Sequence, residues 1–484
     1  MTLTKSDFLQ YLEAPMHLWA KKQGQLLDLE LSDYDKHLIS QGYEVESLAQ
    51  DFLKQKLETA NYTLNFQSTV KDGEYQARID ALGFDKQKQV YNIYEVKSVS
   101  EVKKEHIWDA GFQWLIAQKS LPIRTVNLVY LNKEYVRNGS LDLNELFVIQ
   151  PVDSDIQAIQ SDLLQWMKDA FDVAKSDNCS LFDGCLKPKD CPCLDLCHPN
   201  LPEYSIFDIA RINKTKAQKL KDEGILDIQD VPKDFKLSKK QEIQVQAAQS
   251  NNILINKPKI AYDLEKLKYP LYFLDYETFP SALPLFNGYH PHQHQTFQYS
   301  LHIVSDADGA LHDDTQITHK EFLAISQDDP GKLLVEKMKQ DIGDTGSVLV
   351  WNKTFECSRN KEMAELYPEY KNFLINLNDR VYDLGDPFNK CWYVDPKFKG
   401  SWSIKNVLPV LVPELSYDGM KIGKGDQAML AWWKMVYGDS SLTAATKGHK
   451  QPVSHNHDLE KDMLKYCELD TWAMVKIWRK LMNF

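Results

Sequence analysis

"LYFLDYETFP", residues 271–280, places two carboxylates, Asp275 and Glu277, one residue apart at the end of an apolar run. Such a run reads as a β-strand. Successive side chains on a strand point to opposite faces, so both acids project from the same one and can hold one or two divalent cations between them. Hard oxygen ligands select Mg²⁺ or Mn²⁺ over thiolate-seeking metals. A strand running into an acidic turn would look the same, so the later sequence has to decide. "VLVWNKTFECSRNKEMAE", residues 348–365, ends a buried strand at Asn352 and opens a helix bearing Phe355 and Glu356. "YCELD", residues 466–470, puts Tyr466 four residues before Asp470, on one face of the last amphipathic helix.

The order of these motifs, a strand D-x-E, then N-x-x-F-acid, then Y-x-x-x-D, resembles the DnaQ-like DEDD 3′→5′ exonucleases of the tyrosine subtype, over roughly residues 268–484. The resemblance implies an RNase H-like α/β domain. Asp275, Glu277, Glu356 and Asp470 would bind two Mg²⁺ or Mn²⁺ ions, and Tyr466 would position the attacking water. The histidine subtype would need His at position 465, which is Lys465. Glu356 stands where the family has aspartate; Asp383, in "RVYDLGDPF", is the fallback acid, with capping or orienting a neighbouring element as its expected role.

The chain has 484 residues, about three times the usual domain length, so more than one core is expected. With 43% hydrophobic and 11% aromatic residues and no run of eighteen apolar positions, it reads as soluble, without a membrane span. The opening "MTLTKSDFLQYLEAPMHLW" lacks the basic patch and apolar core of a secretory signal, so the cytoplasm is the expected location. A net charge of −12 argues against a histone-like basic coat. Nucleic acid remains an admissible partner, because metal-dependent nucleases concentrate acids in their sites and keep cations in local patches. Such patches occur at residues 214–221, 236–240 and 395–405, the last ending at Lys405.

In the N-terminal third, "ARIDALGF" sets Asp80 in a strand, and "VYNIYEVKSV" sets Glu95 and Lys97 on one face of the next. Glu46 lies in an earlier helix and Gln113 in the following one. The pattern resembles the PD-(D/E)XK nuclease superfamily, and most closely its RecB-like branch, which includes the CRISPR adaptation nucleases. That likeness implies a restriction-endonuclease-like α/β core, with Glu46, Asp80 and Glu95 around a cation, Lys97 acting on the water or the phosphate, and Gln113 touching substrate. The branch tends to carry Tyr four residues after the glutamine; here that position is Ala117.

Five of the eight cysteines fall within "CSLFDGCLKPKDCPCLDLC", residues 179–197. In a cytosolic chain such clustering suggests metal or iron–sulfur ligation before disulfides. In the RecB-like branch four cysteines hold a 4Fe-4S cluster. Cys185, Cys191 and Cys197 match three of them, while the fourth, in "FLQYLEAPMHLW", is replaced by Ala14. Three outcomes stay open: Cys193 or Cys179 completes the iron–sulfur site, local sulfurs and His198 bind Zn²⁺, or the site is vestigial.

The expected organisation is α/β and multidomain: a PD-(D/E)XK RecB-like domain over 1–176, the cysteine segment 177–202, a helical connector over 203–262 similar to helix-hairpin-helix modules through "RINKTKAQKLKDEGI", and a DEDD-type exonuclease domain over 263–484. The whole resembles bacterial fused nucleases whose C-terminal region was long catalogued as a domain of unknown function. It implies a metal-dependent nuclease acting on DNA in repair or in defence against foreign DNA, with single-stranded DNA or 3′ ends as partners and Asn352 and Lys405 as further substrate contacts. The competing expectations are an RNA exonuclease and a nucleic-acid-binding scaffold in which one nuclease fold has degenerated. Ala14, Ala117 and Glu356 are the departures that favour the scaffold.

Overall fold

The computed structural model describes residues 1–26, 31–178, 191–306, 311, 313–448 and 456–484. The architecture is mixed α/β with several sheets, and it divides into two compact units. Unit 1 comprises Met1–Asn200, Ser281–Gln293 and Ser440–His449; unit 2 comprises Leu201–Pro280, His294–Asp439 and Lys450–Phe484. The helical connector therefore falls in the same unit as the C-terminal strands, and two C-terminal segments fall in unit 1. Long-range hydrogen bonds tie those two segments into unit 1. The Arg137 guanidinium donates to the carbonyl oxygens of Pro284, Leu285 and Thr446, and the Glu44 carboxylate accepts from Leu442 N and Thr443 N at 2.8 and 2.6 Å.

Unit 1 is built on a six-stranded sheet of β1 (Leu3–Thr4), β2 (Tyr62–Asp72), β3 (Tyr75–Asp85), β4 (Val90–Lys97), β5 (Ile123–Leu131) and β6 (Phe147–Pro151). Its order is β1-β3-β4-β5-β6, with β2 paired to β3. The β3–β4 pair is antiparallel and the β4–β5 pair parallel. Helix α1 (Lys5–Glu13) opens with a Thr4–Asp7 capping box, and Pro15 starts α2 (Pro15–Lys22) at a position where its missing N–H costs nothing. With α3 (Asp33–Leu57) and α4 (Lys104–Ala117) they cover the sheet, and Phe8 of α1 stacks on Phe112 of α4 at 4.8 Å. That pair sits in a core with Ile79, Ile93 and Leu128 from three central strands.

The strands of unit 2 are β7 (Leu254–Ile255), a five-stranded sheet of β8 (Leu271–Pro280), β9 (His294–Val304), β10 (Ile317–Leu323), β11 (Ser347–Val350) and β12 (Val381–Asp383), and β13 (Tyr393–Val394), which pairs with β7. The sheet order is β10-β9-β8-β11-β12, antiparallel across the first two pairs and parallel across the last two. Strand β8, which carries the opening motif, is thus central and covered on both faces. Alternation sorts its side chains. Tyr272, Leu274 and Tyr276 join a core with Leu334, Val335 and Met338 of α7 (Pro330–Asp341). Leu271 and Phe273 join another with Ile477 and Trp478 of α10 (His457–Met482). The odd-numbered positions therefore face α10, which decides where Asp275 and Glu277 go. The remaining helices used below are α5 (Lys214–Asp222), α6 (Lys239–Ser250), α8 (Lys353–Leu366) and α9 (Gly425–Tyr437). Among the described residues no helix is long and apolar enough to cross a membrane.

Candidate functional site

On the α10 side of β8, Asp275, Glu277 and Asp470 each offer a carboxylate oxygen, all within 4.8 Å of one another. The strand period places the first two, and Asp470 comes from the middle of α10. Burial pushes all three carboxyls up; at Asp275 repulsion from Asp470, Glu277 and Glu356 adds to it, and its carboxyl stands well above the usual carboxylate value. Glu277 does likewise through burial and Asp470. Burial pushes Asp470 up to about 6, against the lowering effect of hydrogen bonds from Tyr417 and Tyr466 and of the Lys405 charge. At an effective dielectric of about 20, two ionised carboxylates at this separation repel by roughly 3–4 kcal/mol. A divalent cation removes that cost, and oxygen ligands of this kind suit Mg²⁺ or Mn²⁺.

Glu356, in the first turn of α8, is buried, and its Oε2 has no hydrogen-bond partner. Burial raises its carboxyl to about 8. It lies close enough to raise Asp275 electrostatically but is not one of the three acids grouped within 4.8 Å. Asp383 is committed elsewhere: its two oxygens accept from Lys353 N and Gly385 N, both at 3.0 Å, so it fixes the entry to α8. Tyr466 is buried beside Asp470, and Tyr417, which no motif spacing in the sequence marks, donates from its hydroxyl to Asp470 Oδ1 at 2.5 Å. Lys405 Nζ donates to Gly423 O at 2.8 Å and lies 3.5 Å from the Tyr466 hydroxyl, with its ammonium over both tyrosine rings. Asn352 occupies the N-cap position of α8 without a side-chain cap bond.

In unit 1, Glu95 and Lys97 share a face of β4 as their spacing requires, with Nζ 2.7 Å from Glu95 Oε1. The site is closed by two residues absent from the sequence reading. Lys5 Nζ lies 2.7 Å from Glu95 Oε1 and 3.5 Å from Asp109 Oδ1, and Lys97 pairs with Asp109 as well. Gln113, fully buried, donates from Nε2 to Glu95 Oε2 at 2.8 Å and to Asp109 Oδ1 at 2.9 Å, so it positions the acids. Asp109 precedes Gln113 by one helical turn, a spacing visible in the sequence; Lys5, ninety residues from Glu95, carries no such signal. Burial alone would raise Glu95, but the Lys97 and Lys5 ammonium groups hold it below the usual carboxylate range. Asp80 accepts from Val96 N at 2.9 Å; burial and the Glu95 charge push it up to about 8. Glu46 is joined to Asp80 by Gln67, a residue at φ +53° that interrupts the β2–β3 ladder without shifting its register and donates to both acids; the Glu46 charge also adds to the upward push on Asp80. Among the described residues Glu46, Asp80 and Glu95 do not bring three ligand oxygens within 4.8 Å.

Cys179 and Cys185 lie outside the described residues. Cys193 is fully buried against α2, with Cys191 and Cys197 packed at the edge of the same core. His17 of α2, three residues past Ala14, places Nε2 3.2 Å from Cys191 Sγ; the one-turn offset from Ala14 is the signal that could have found it. His198 is buried. A further group, His302, His319 and Glu468, also brings three ligand atoms within 4.8 Å. Its two imidazoles are stacked, 4.5 Å apart and 26° from parallel, so their in-plane lone pairs do not converge well on one ion.

Residues 272–403 match the family described as "Domain of unknown function (DUF2779)". The chain is 29% identical over 242 residues to the "Uncharacterized protein UU173" of Ureaplasma parvum, covering 44% of this chain and 31% of that protein. It is 28% identical over 227 residues to the "Uncharacterized protein MG366" of Mycoplasma genitalium, covering 44% and 32%. The match thus spans about a third of the length of these curated relatives. A solved structure titled "Crystal structure of SSO0001" aligns with 42% of this chain and 87% of its own, at 16% identity and a TM-score of 0.23.

Raised carboxyls have a measurable consequence. Between the ordinary carboxylate value of about 4 and the raised ones, about 6 for Asp470 and about 8 for Glu356, the folded protein binds more protons than the unfolded chain. Stability therefore falls as pH rises through that window. Calorimetry of cation-free protein should show its Tm falling from about pH 5 to about pH 8, with a shallower fall for Asp275→Asn. Mn²⁺ at about 100 times its Kd should add roughly 2.7 kcal/mol to the wild type at the upper pH, and much less to the variant. Equal pH slopes and equal Mn²⁺ gains in both proteins would refute this electrostatic account.

Proposed function

We propose that the chain is a divalent-cation-dependent nuclease that shortens single-stranded or frayed DNA from its 3′ end, and that Asp275, Glu277 and Asp470, with Glu356 behind them, hold the cation. The observation that carries this reading is the convergence within 4.8 Å of three carboxylate oxygens, from buried Glu277 and Asp470 and half-buried Asp275, flanked by Tyr466 and Lys405. Bound there, Mg²⁺ or Mn²⁺ supplies charge neutralisation at the scissile phosphate and the leaving oxygen. The five-stranded sheet, with the acids at its centre and helices on both faces, supports an RNase H-like assignment for unit 2.

The chain's own residues have distinct tasks. Burial and the Asp470 charge hold the Tyr466 hydroxyl far above the usual phenol range, so it stays protonated and orients a water by hydrogen bonding without acting as a base. The Tyr417 hydroxyl fixes Asp470 by donating to its Oδ1. Lys405, the cation beside these rings, offers its charge to a substrate phosphate.

For unit 1, which we assign by resemblance to the PD-(D/E)XK class, one observation favours a second reading, binding without cleavage: Glu95 is occupied by Lys5, Lys97 and Gln113. For the cysteine segment we propose a thiolate metal site, either iron–sulfur or Zn²⁺, in which His17 joins Cys191 in place of the cysteine missing at position 14; soft sulfur with imidazole suits either group.

Two measurements test these assignments. With Mn²⁺ and a 5′-labelled oligonucleotide, wild type should yield a ladder shortened from the 3′ end, more from DNA than from RNA. Asp275→Asn should slow it by at least about a hundredfold. Cleavage that survives Asp275→Asn but disappears when Lys97→Ala is added would instead assign the chemistry to unit 1, and salt-sensitive binding without any turnover would leave a scaffold. Separately, elemental analysis of anaerobically purified protein, with an absorbance scan near 400 nm, should find iron or zinc in wild type and a large loss in His17→Ala. Equal metal content in both would remove His17 from the ligand set.

A further inference from the structure

Unit 2 contains a cavity of about 790 Å³ between the helical connector and the loop that follows β13, within the range of about 300–1,000 Å³ usual for ligand sites. Four cations line it, Arg211, Lys216, Lys240 and Lys405, against a single acid, Asp395. In a chain of net charge −12 that local excess is unusual. Asp395 is also engaged, since its Oδ1 accepts from Lys397 N at 2.9 Å. Arg211 and Lys216 form no ion pair or side-chain hydrogen bond among the described residues, so both charges are available to an anionic ligand. Part of the remaining wall is aromatic, including the half-buried indole of Trp402.

The wall is preformed. Gln244 ties the connector loop with three bonds, accepting from Ala210 N at 2.8 Å and donating to Asp208 O and the Tyr204 hydroxyl at 2.8 and 2.9 Å. Gly400, at φ +74°, lets the facing loop approach; a Cβ there would lie 2.2 Å from Gln244 Nε2 and 2.3 Å from Asp208 O. The cavity also shares Asn352 and Lys405 with the surroundings of the carboxylate cluster: Lys405 reaches Tyr466, and Asn352 precedes the helix that carries Glu356.

We propose that this cavity seats the nucleotides adjoining the scissile phosphate of a single-stranded nucleic acid, with phosphates on Arg211, Lys216 and Lys240 and a base against Trp402. The proposal rests on the nuclease reading for its direction, since the strand passes from the cavity to the carboxylates by way of Lys405. Unpaired cations lining an aromatic floor match the two features that a single strand presents, an anionic backbone and free base faces. A duplex keeps its base faces stacked inside and offers the floor nothing.

Binding can be separated from cleavage by working in EDTA. Fluorescence anisotropy of full-length protein with a labelled oligothymidylate should give a salt-sensitive affinity, weakened at least about tenfold in Arg211→Glu/Lys216→Glu. The slope of log K against log salt should drop by about 1.4, at about 0.7 per lost phosphate contact. Both side chains are surface-accessible, and Lys240→Glu provides an independent variant should the pair perturb folding. The exposed pair Lys361→Glu/Lys371→Glu, outside the cavity and of equal charge change, should stay within about twofold of wild type. Wild-type affinity in both lining variants, equal weakening in the control, equal affinity for duplex, or complete competition by thymidine monophosphate at oligonucleotide-like concentrations would each overturn the proposal. An oligoribonucleotide arm decides only which sugar is preferred, and tighter binding of either sugar supports the site. Failure of the nuclease reading would register elsewhere, as absence of Mn²⁺-dependent shortening by a wild type that still binds.

Discussion

Asp275, Glu277 and Asp470 are held with carboxylate oxygens within 4.8 Å of one another in a largely buried setting, and that repulsion is the constraint on which the rest of unit 2 depends. Such a cluster persists only if the surrounding fold over-determines it. Strand β8 has neighbours on both edges and apolar cores on both faces, so it cannot slip by one residue without turning every side chain to the wrong side. Helix α10 is fixed just as firmly by Trp478 and its neighbours, which leaves Asp470 no room to withdraw. Packing thus imposes a concentration of carboxylates whose charge the proposed cation would relieve.

The groups around the cluster divide between restraint and compensation. Tyr417 restrains Asp470, and Asp383 restrains the start of α8 by capping backbone N–H groups. Lys405 compensates, and it also lines the cationic cavity, so a single ammonium lies where two proposed functions meet. Unit 1 solves a similar problem differently. There Lys5 and Lys97 neutralise Glu95 and Asp109 from within the chain, and removing either member of such a buried network typically costs about 3–5 kcal/mol. A site that supplies its own counter-charge has less need of an external ion, which is why the two units invite different readings.

What could be read in the sequence followed the regularity of its elements. The two-residue period of "LYFLDYETFP" and the four-residue step from Tyr466 to Asp470 are local rules, and the structure places all four side chains together. The same alternation puts Glu95 and Lys97 on one face of β4. Tyr417 and Lys5 were not legible, because each arrives through tertiary packing from a loop or a terminus with no periodic tie to its partner. The assignment of the connector to unit 2, and of Ser281–Gln293 and Ser440–His449 to unit 1, was equally hidden: it depends on long-range links such as the bonds of Arg137 and the pairing of β7 with β13. His17 lies between these cases, a helical turn away from the position where a cysteine was expected.

The central claim is that the three acids form a cation site because folding forces their charges together. Crystals of the full-length chain soaked in Mn²⁺, with anomalous diffraction measured near the manganese edge, test it most directly. The account predicts the strongest anomalous peaks within about 2.0–2.6 Å of the carboxylate oxygens of Asp275, Glu277 and Asp470, with Glu356 drawn toward them. Manganese found only at His302, His319 and Glu468, or nowhere in unit 2 while the three acids remain close, would contradict it.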